Sequence, residues 1–332
     1  MMKTHALVLP VLLSMVLTAC GGSAVSSPTS GELEPVTLTM GYRPDVQFAP
    51  MYVMDALGFD AQQGLEVEFQ HLPETEAVQL VGVGEIPFAI VSGEQVLLAR
   101  AQGLPVVYVF AWWQDYPVAI AARSSLGIEG PADLVGKRVG LPGLFGASYI
   151  GYEALMEAAG VPLDEVQLDS IGYTQVEALS QGLEDAVVVY ANNEPIQLEK
   201  LGIPVNVFRV ADYVHLASNG LITSEKMIED HPETVRRMVA AFLAGLKATI
   251  EDPNMAFQVA GDYVDGLKEA DQQVQRQVLD TSIGFWLSDP LGYSQPAAWE
   301  NMQQVLLSMG LMEAPLPLEE AFTNSFLPDS SQ

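Results

Sequence analysis

The stretch Ile86-Pro87-Phe88-Ala89-Ile90-Val91-Ser92-Gly93-Glu94-Gln95-Val96-Leu97-Leu98-Ala99-Arg100-Ala101, followed closely by Val106-Val107-Tyr108-Val109-Phe110-Ala111, decides the fold class. Ile86 to Val91 is an unbroken apolar run, as expected of a strand buried on both faces. Ser92 to Ala101 reads as a helix, with Ser92 and Gln95 at capping-box spacing. Val106 to Ala111 is again apolar and β-branched. Strand, helix, strand in this order predicts an α/β sheet with helices on its faces.

Working outward, the same alternation appears on both sides. Upstream, Val36 to Gly41 alternates as a strand, Ala49 to Leu57 suits a short helix, and Leu65 to Phe69 is a strand after a turn at Gly64. Downstream, a second set starts near Val118. Arg138 to Leu141 is a strand, Ser148 to Ala159 a helix stopped by Gly160, and Val166 to Ile171 a strand. Thr174 and Glu177 offer a second capping box before a short helix ending at Gly182. Ala186 to Tyr190 and Val205 to Val210 complete this set. Beyond Asn219 the pattern becomes helical: His231-Pro232 opens a helix, since proline is tolerated at the first helical position. Val235, Met238, Val239, Phe242, Leu246 and Ile250 form its apolar stripe. Ala297 to Met309, closed by Gly310, is a later helix.

The N-terminus carries an export signal. Lys3 and His5 precede an apolar run from Ala6 to Leu17, which ends at Leu17-Thr18-Ala19-Cys20. The run is shorter than the roughly 20 residues that a transmembrane helix needs. Leu-Thr-Ala-Cys resembles the bacterial lipobox, which implies cleavage after residue 19 and diacylation of Cys20. Gly21 to Pro35, rich in Gly, Ser, Thr and Pro, reads as a flexible tether. Cys20 is the only cysteine of the 332 residues, so the mature body has neither disulfides nor a catalytic thiol.

The 14 Lys and Arg against 42 Asp and Glu give a net charge of −28. That balance disfavours nucleic acid and anionic lipid surfaces as partners and leaves few clamps for a strongly anionic ligand. In open α/β sheets ligands bind beyond the carboxyl ends of the strands. Four segments fall there: Ser92-Gly93-Glu94, Trp112 to Tyr116, Pro142 to Ser148, and Tyr190 to Glu194. In the third, Gly143 and its neighbours allow backbone amides to approach a ligand at a helix start, or simply make a strand-to-helix turn. In the fourth, Asn192, Asn193 and Glu194 either cap a helix or accept hydrogen bonds from a heteroaromatic ring. Trp112, Trp113, Tyr116 and Phe145 are either core and rim or flat faces for such a ring. No catalytic constellation stands out. His71, His215 and His231 lack metal-ligand spacing, no nucleophile elbow is present, and no cofactor is expected.

Met40-Gly41-Tyr42-Arg43-Pro44, Phe48-Ala49-Pro50-Met51-Tyr52, Leu57-Gly58-Phe59, Gly64-Leu65-Glu66-Val67, Gly84 to Val91 and Gly136-Lys137-Arg138-Val139-Gly140 resemble periplasmic binding proteins related to thiamine-pyrimidine synthase. The resemblance implies a type II fold of two α/β lobes joined by a hinge, with a helical C-terminal region on lobe 1 and the ligand in the cleft. Lobe 1 is then expected at 36–117 plus 217–332 and lobe 2 at 118–216, with crossovers near Tyr116 to Ala122 and Val210 to Asn219. It also implies binding without turnover, as a monomer lipid-anchored at the cell membrane and facing the periplasm or exterior, with delivery to an ABC permease and ATPase encoded elsewhere. Asn193-Glu194-Pro195 is similar to the pyrimidine-binding branch, in which the carboxylate meets the ligand ring. Riboflavin-binding lipoproteins share the pattern, and the aromatic residues from Trp112 to Tyr116 suit a wide tricyclic ring. The expected ligand is therefore riboflavin, or otherwise a thiamine-precursor pyrimidine. The expected binding set is Tyr42, Arg43, Phe48, Tyr52, Ser92, Glu94, Trp112, Trp113, Tyr116, Gly143, Phe145, Tyr190, Asn192, Asn193 and Glu194. Arg43 serves a ring carbonyl or an anion. A synthase-type enzyme is the alternative, and it would need a reactive histidine and a pyridoxal lysine in the cleft.

Overall fold

The computed structural model describes residues 33–328. The expected signal peptide and the lipidated Cys20 lie outside the described residues. Ten strands form two five-stranded sheets. The first contains β1 (Glu34–Met40), β2 (Leu65–His71), β3 (Phe88–Val91), β4 (Val106–Ala111) and β10 (Gly220–Ser224) in the order β2-β1-β3-β10-β4. The second contains β5 (Val118–Arg123), β6 (Arg138–Leu141), β7 (Gln167–Ser170), β8 (Ala186–Tyr190) and β9 (Val205–Arg209) in the order β7-β6-β8-β5-β9.

The sheets repeat one plan. Three parallel strands are followed by one antiparallel strand, β10 in the first sheet and β5 in the second, and then by an edge strand. Each antiparallel strand is supplied by the chain as it arrives from the other sheet. The first passage lies between Ala111 and Val118 and the second between Arg209 and Gly220. Val118 to Ala122, expected within the first crossover, is instead already strand β5. Two such lobes with paired exchange are the type II arrangement of binding proteins.

Strand β1 starts at Glu34, two residues inside the expected tether. The Glu34 amide donates to the Gly64 carbonyl at 3.0 Å. Pro35 is tolerated because pairing with β3 on the other side starts only at Leu38, so no ladder donor is missed. Strand β10 was not expected, since it lies at the start of a region of helical character, apart from the strand-and-helix alternation that marks the others. Both capping boxes are also absent. Ser92 and Thr174 occupy the N-cap positions, but neither side chain bonds the helix backbone. The Ser92 hydroxyl faces two carboxylates, and the Thr174 hydroxyl donates back to the Ile171 carbonyl at 2.7 Å.

The expected helix after His231 runs from Pro232 to Glu251. Its stripe residues Val235, Met238, Val239, Phe242 and Leu246 are fully buried, and they share a core with the helix Ala49–Ala56 and one face of the first sheet. The C-terminal region thus covers lobe 1. It also touches lobe 2, where the Ser308 hydroxyl donates to the Glu157 carboxylate at 2.8 Å. A β-bulge in β4 matters for the site. The register against β10 shifts between Leu221 and Ile222, so that Leu221 faces Phe110 while Ile222 faces Tyr108. The extra residue turns Phe110 and Trp112 to the same core as Phe242.

Candidate functional site

A cavity of about 550 Å³ lies where the carboxyl ends of the two sheets meet, within the size range of small-molecule sites. The first sheet contributes Tyr42 to Asp45 and Phe48 after β1, His71 to Thr75 after β2, and Trp112 and Trp113 after β4. Asn219 enters from the amino end of antiparallel β10. The second sheet contributes Phe145 to Ser148 after β6, Tyr173 after β7, and Tyr190 with Asn192 to Glu194 after β8.

Ten of the fifteen residues expected to bind ligand line this cavity: Tyr42, Arg43, Phe48, Trp112, Trp113, Phe145, Tyr190, Asn192, Asn193 and Glu194. Five do not, each for a packing reason. Tyr52 points between helices and stacks on Tyr263, with centroids 4.8 Å apart and planes 13° apart. Tyr116, in the first passage between sheets, is buried and donates to the Ala147 carbonyl at 3.3 Å. Gly143 is covered by the Phe145 ring, whose Cε1 would stand 2.5 Å from an added Cβ. Ser92 and Glu94 are wholly buried one layer behind the wall.

The wall is aromatic on both sides. Trp112 and Trp113 are nearly buried, held by Trp286 at 5.5 Å and Phe285 at 5.5 Å respectively. Facing lobe 1, Phe145 and Tyr173 are each about three-quarters exposed. Tyr173 meets Tyr42 across the cleft at 6.5 Å, and the Arg43 guanidinium lies 5.4 Å from the Tyr42 ring centre. Gly146 has φ +69°, a left-handed conformation that suits glycine, and it starts the helix Gly146–Ala158, whose first turn faces the cavity.

Three carboxyl groups, Asp45, Glu74 and Glu194, share the wall with the basic side chains Arg43 and His71. His71 Nδ1 lies 2.6 Å from the Tyr42 carbonyl. A carbonyl only accepts, so Nδ1 carries a proton there. Glu194 Oε2 accepts the Tyr190 amide at 2.9 Å, tying the carboxylate to the end of β8. Burial raises the Glu194 carboxyl above its ordinary range, partly offset by that amide. Burial likewise raises Asp45, opposed by the Gln47 amide. Asn193 Oδ1 accepts from Gln197 at 2.8 Å, and Asn192 Nδ2 donates to Ser282 Oγ at 2.9 Å, a bond from lobe 2 to the helix Gln272–Trp286. Among the described residues, Asn192 Oδ1 and Trp112 Nε1 are buried without a hydrogen-bond partner.

Asp45, His71, Glu74, Tyr173 and Asn219 escaped the sequence reading. The carboxyl-end rule, applied after β2 and β7 as it was after β4 and β8, reaches His71, Glu74 and Tyr173. Asn219 was out of reach because β10 was not recognised.

Two α/β lobes with this topology and a cleft between them are the fold of ABC-type substrate-binding proteins. The solved aliphatic-sulphonate-binding protein SsuA from Escherichia coli superposes with a TM-score of 0.70 at 15% identity, over 90% of this chain and 95% of that one. The signature of the NMT1/THI5-like family matches residues 45–256, and the chain belongs to that family. It is 36% identical, over the whole of both chains, to riboflavin-binding protein RibY of Chloroflexus aurantiacus. It is 28% identical to the formylaminopyrimidine-binding protein of Halalkalibacterium halodurans, over 97% of this chain and 99% of that one.

Proposed function

We propose that the protein captures riboflavin in the interlobe cleft, tethered to the cell membrane through lipidated Cys20, and hands it to an ABC permease. The observation that carries this reading is the wall of the cavity. Aromatic side chains from both lobes line the space, and among the described residues Arg43 and His71 are its only basic residues against Asp45, Glu74 and Glu194. A flat, uncharged, hydrogen-bond-donating ring system suits such a wall, and an anion does not. The full-length likeness to a riboflavin-binding protein supports the same choice. Release and capture require only that the ligand stabilise the closed pair of lobes over the open one. Among the described residues, no helix is long and apolar enough to cross a membrane, so this reading assigns membrane attachment to the acyl chains alone.

A thiamine-precursor pyrimidine is the second reading, favoured by the formylaminopyrimidine-binding relative. A synthase-type reaction fits less well. His71 does line the cavity, but among the described residues no lysine does, so that wall offers no amine to hold pyridoxal as an imine. Titration with riboflavin, its phosphate ester and an aminopyrimidine, followed by tryptophan quenching, tests the reading. Riboflavin should saturate at the lowest concentration and its phosphate ester should bind at least tenfold more weakly. Saturation by the aminopyrimidine alone would transfer the assignment to it.

A further inference from the structure

Behind the wall stands a pair of carboxyl groups that the binding reading leaves unused. Ser92 Oγ lies 2.5 Å from Glu74 Oε2 and 2.5 Å from Glu94 Oε1. A hydroxyl has one hydrogen and can donate to only one of them. The other contact is a hydrogen bond only if that carboxyl is itself protonated and donates to Oγ. Two ionised carboxylates on one hydroxyl would leave an uncompensated contact between acceptors.

The surroundings say which carboxyl keeps the proton. Glu74 accepts three donors: the Ser92 amide at 3.0 Å, the Ser92 hydroxyl, and Asn219 Nδ2 at 2.8 Å. Such a set stabilises the anion. Glu94 is wholly buried, and its Oε2 has no partner among the described residues. An orphaned oxygen is tolerable on a neutral acid and costly on an anion. The groups facing the pair supply no positive charge. Tyr108 donates to the Ser218 carbonyl; the Tyr116 hydroxyl donates to the Ala147 carbonyl and also stands beside the Glu94 carboxyl; and burial near the two glutamates holds Tyr108, Tyr116 and Tyr190 in their neutral forms. Arg43, His71, Asp45 and Glu194 stand elsewhere on the cavity wall. Burial first, and the charge of Glu74 second, push the Glu94 carboxyl up to about 7, while burial raises Glu74 against its donors.

We infer that Glu94, Ser92 and Glu74 form a one-proton relay that fixes Glu74, on the cleft wall, as the acceptor for an N–H or O–H donor of the ligand. A carboxylate offers about four acceptor positions. Three of those on Glu74 are used within the protein, and one is left for the cavity. The imide N–H or a hydroxyl of a flavin supplies such a donor. This inference rests on the proposed function for its ligand but not for its proton.

Two measurements separate those dependencies. The first uses the unliganded full chain with carboxyl-labelled glutamate, titrated by NMR. One glutamate should change state near neutrality, and that transition should vanish in Glu94→Gln, whose amide still donates to Ser92. If every glutamate titrates in the ordinary carboxylate range, the relay is wrong whatever the ligand. The second follows riboflavin affinity from about pH 5 to about pH 8.5, a span that covers protonation of either glutamate. In the parent, affinity should fall toward acid as Glu74 takes a proton. It should also fall above neutrality, when the hydroxyl must serve two anions. Glu74→Gln should weaken binding by about tenfold or more, the worth of a hydrogen bond to a charged group, and flatten the acid limb. Glu94→Gln should remove the alkaline limb. Retention of that limb in Glu94→Gln, or binding by Glu74→Gln within about twofold of the parent, overturns the relay. Failure of the parent to bind riboflavin at any pH overturns the proposed ligand instead, and the unliganded titration then decides the relay alone.

Discussion

The buried Glu94 makes stability depend on pH in a direction opposite to that of most carboxylates. An unfolded Glu94 releases its proton near its ordinary value of 4.5, while in the folded protein it holds the proton up to about 7. Between those values the native state binds more protons than the unfolded state, so the stability contributed by this group falls as pH rises. Below 4.5 both states are protonated and the contribution is level; above about 7 the native state has paid the full cost of burying the charge. At 1.4 kcal/mol per pH step the loss is about 3 kcal/mol at most, shared with Glu74 through Ser92. Glu94→Gln removes the titration and keeps an amide donor for Ser92. Relative to the parent, the variant should therefore gain up to about 3 kcal/mol on going from about pH 5 to about pH 8, or roughly 6 °C in melting temperature for a chain of this size. Urea and thermal unfolding of both proteins at the two pH values measure this difference directly. Parallel pH profiles for parent and variant would refute the assignment of the proton to Glu94.

Other expectations follow from packing and from the N-terminal signal. Gly245 lies where the helix Pro232–Glu251 crosses Ala49–Ala56, and an added Cβ would stand 2.3 Å from the Pro50 carbonyl oxygen. Gly245→Ala gains about 1 kcal/mol of helix propensity but forces two backbones apart, so a net loss of about 1–2 kcal/mol is expected in urea unfolding. An unchanged or raised midpoint would contradict that geometry. Cys20→Ser should leave riboflavin affinity untouched while moving the protein from the membrane to the soluble fraction after cell disruption, since without acyl chains nothing else is proposed to hold it there. Persistent membrane association would point to a second anchor.

How much of this was legible beforehand depended on distance along the chain. The alternation from Val36 to Val210, the proline-opened helix at Pro232 and the glycine stop at Gly182 were readable because each rests on residues within a few positions of one another. The carboxyl-end rule located most of the cleft for the same reason, since it needs only the end of a strand and the loop after it. Composition was equally local in its logic: the acidic balance disfavoured nucleic acid, and a single cysteine left no pair for a disulfide within the chain.

Tertiary structure decided the rest. Whether Ser92 capped its own helix or served carboxylates depended on Glu74, 18 residues away, and the acceptor set of Glu74 is completed by Asn219, 145 residues away. Strand β10 stands apart from the alternating segments and gains its identity by filling the slot between β3 and β4. Tyr52 and Tyr116 carried the right chemistry, but helix packing and the passage between sheets turned them inward. The sequence by itself therefore determined the alternating elements and the segments that approach the cleft. Only the folded chain, by bringing together groups that local periodicity cannot relate, decided which side chains reach the cavity and how their protons are shared.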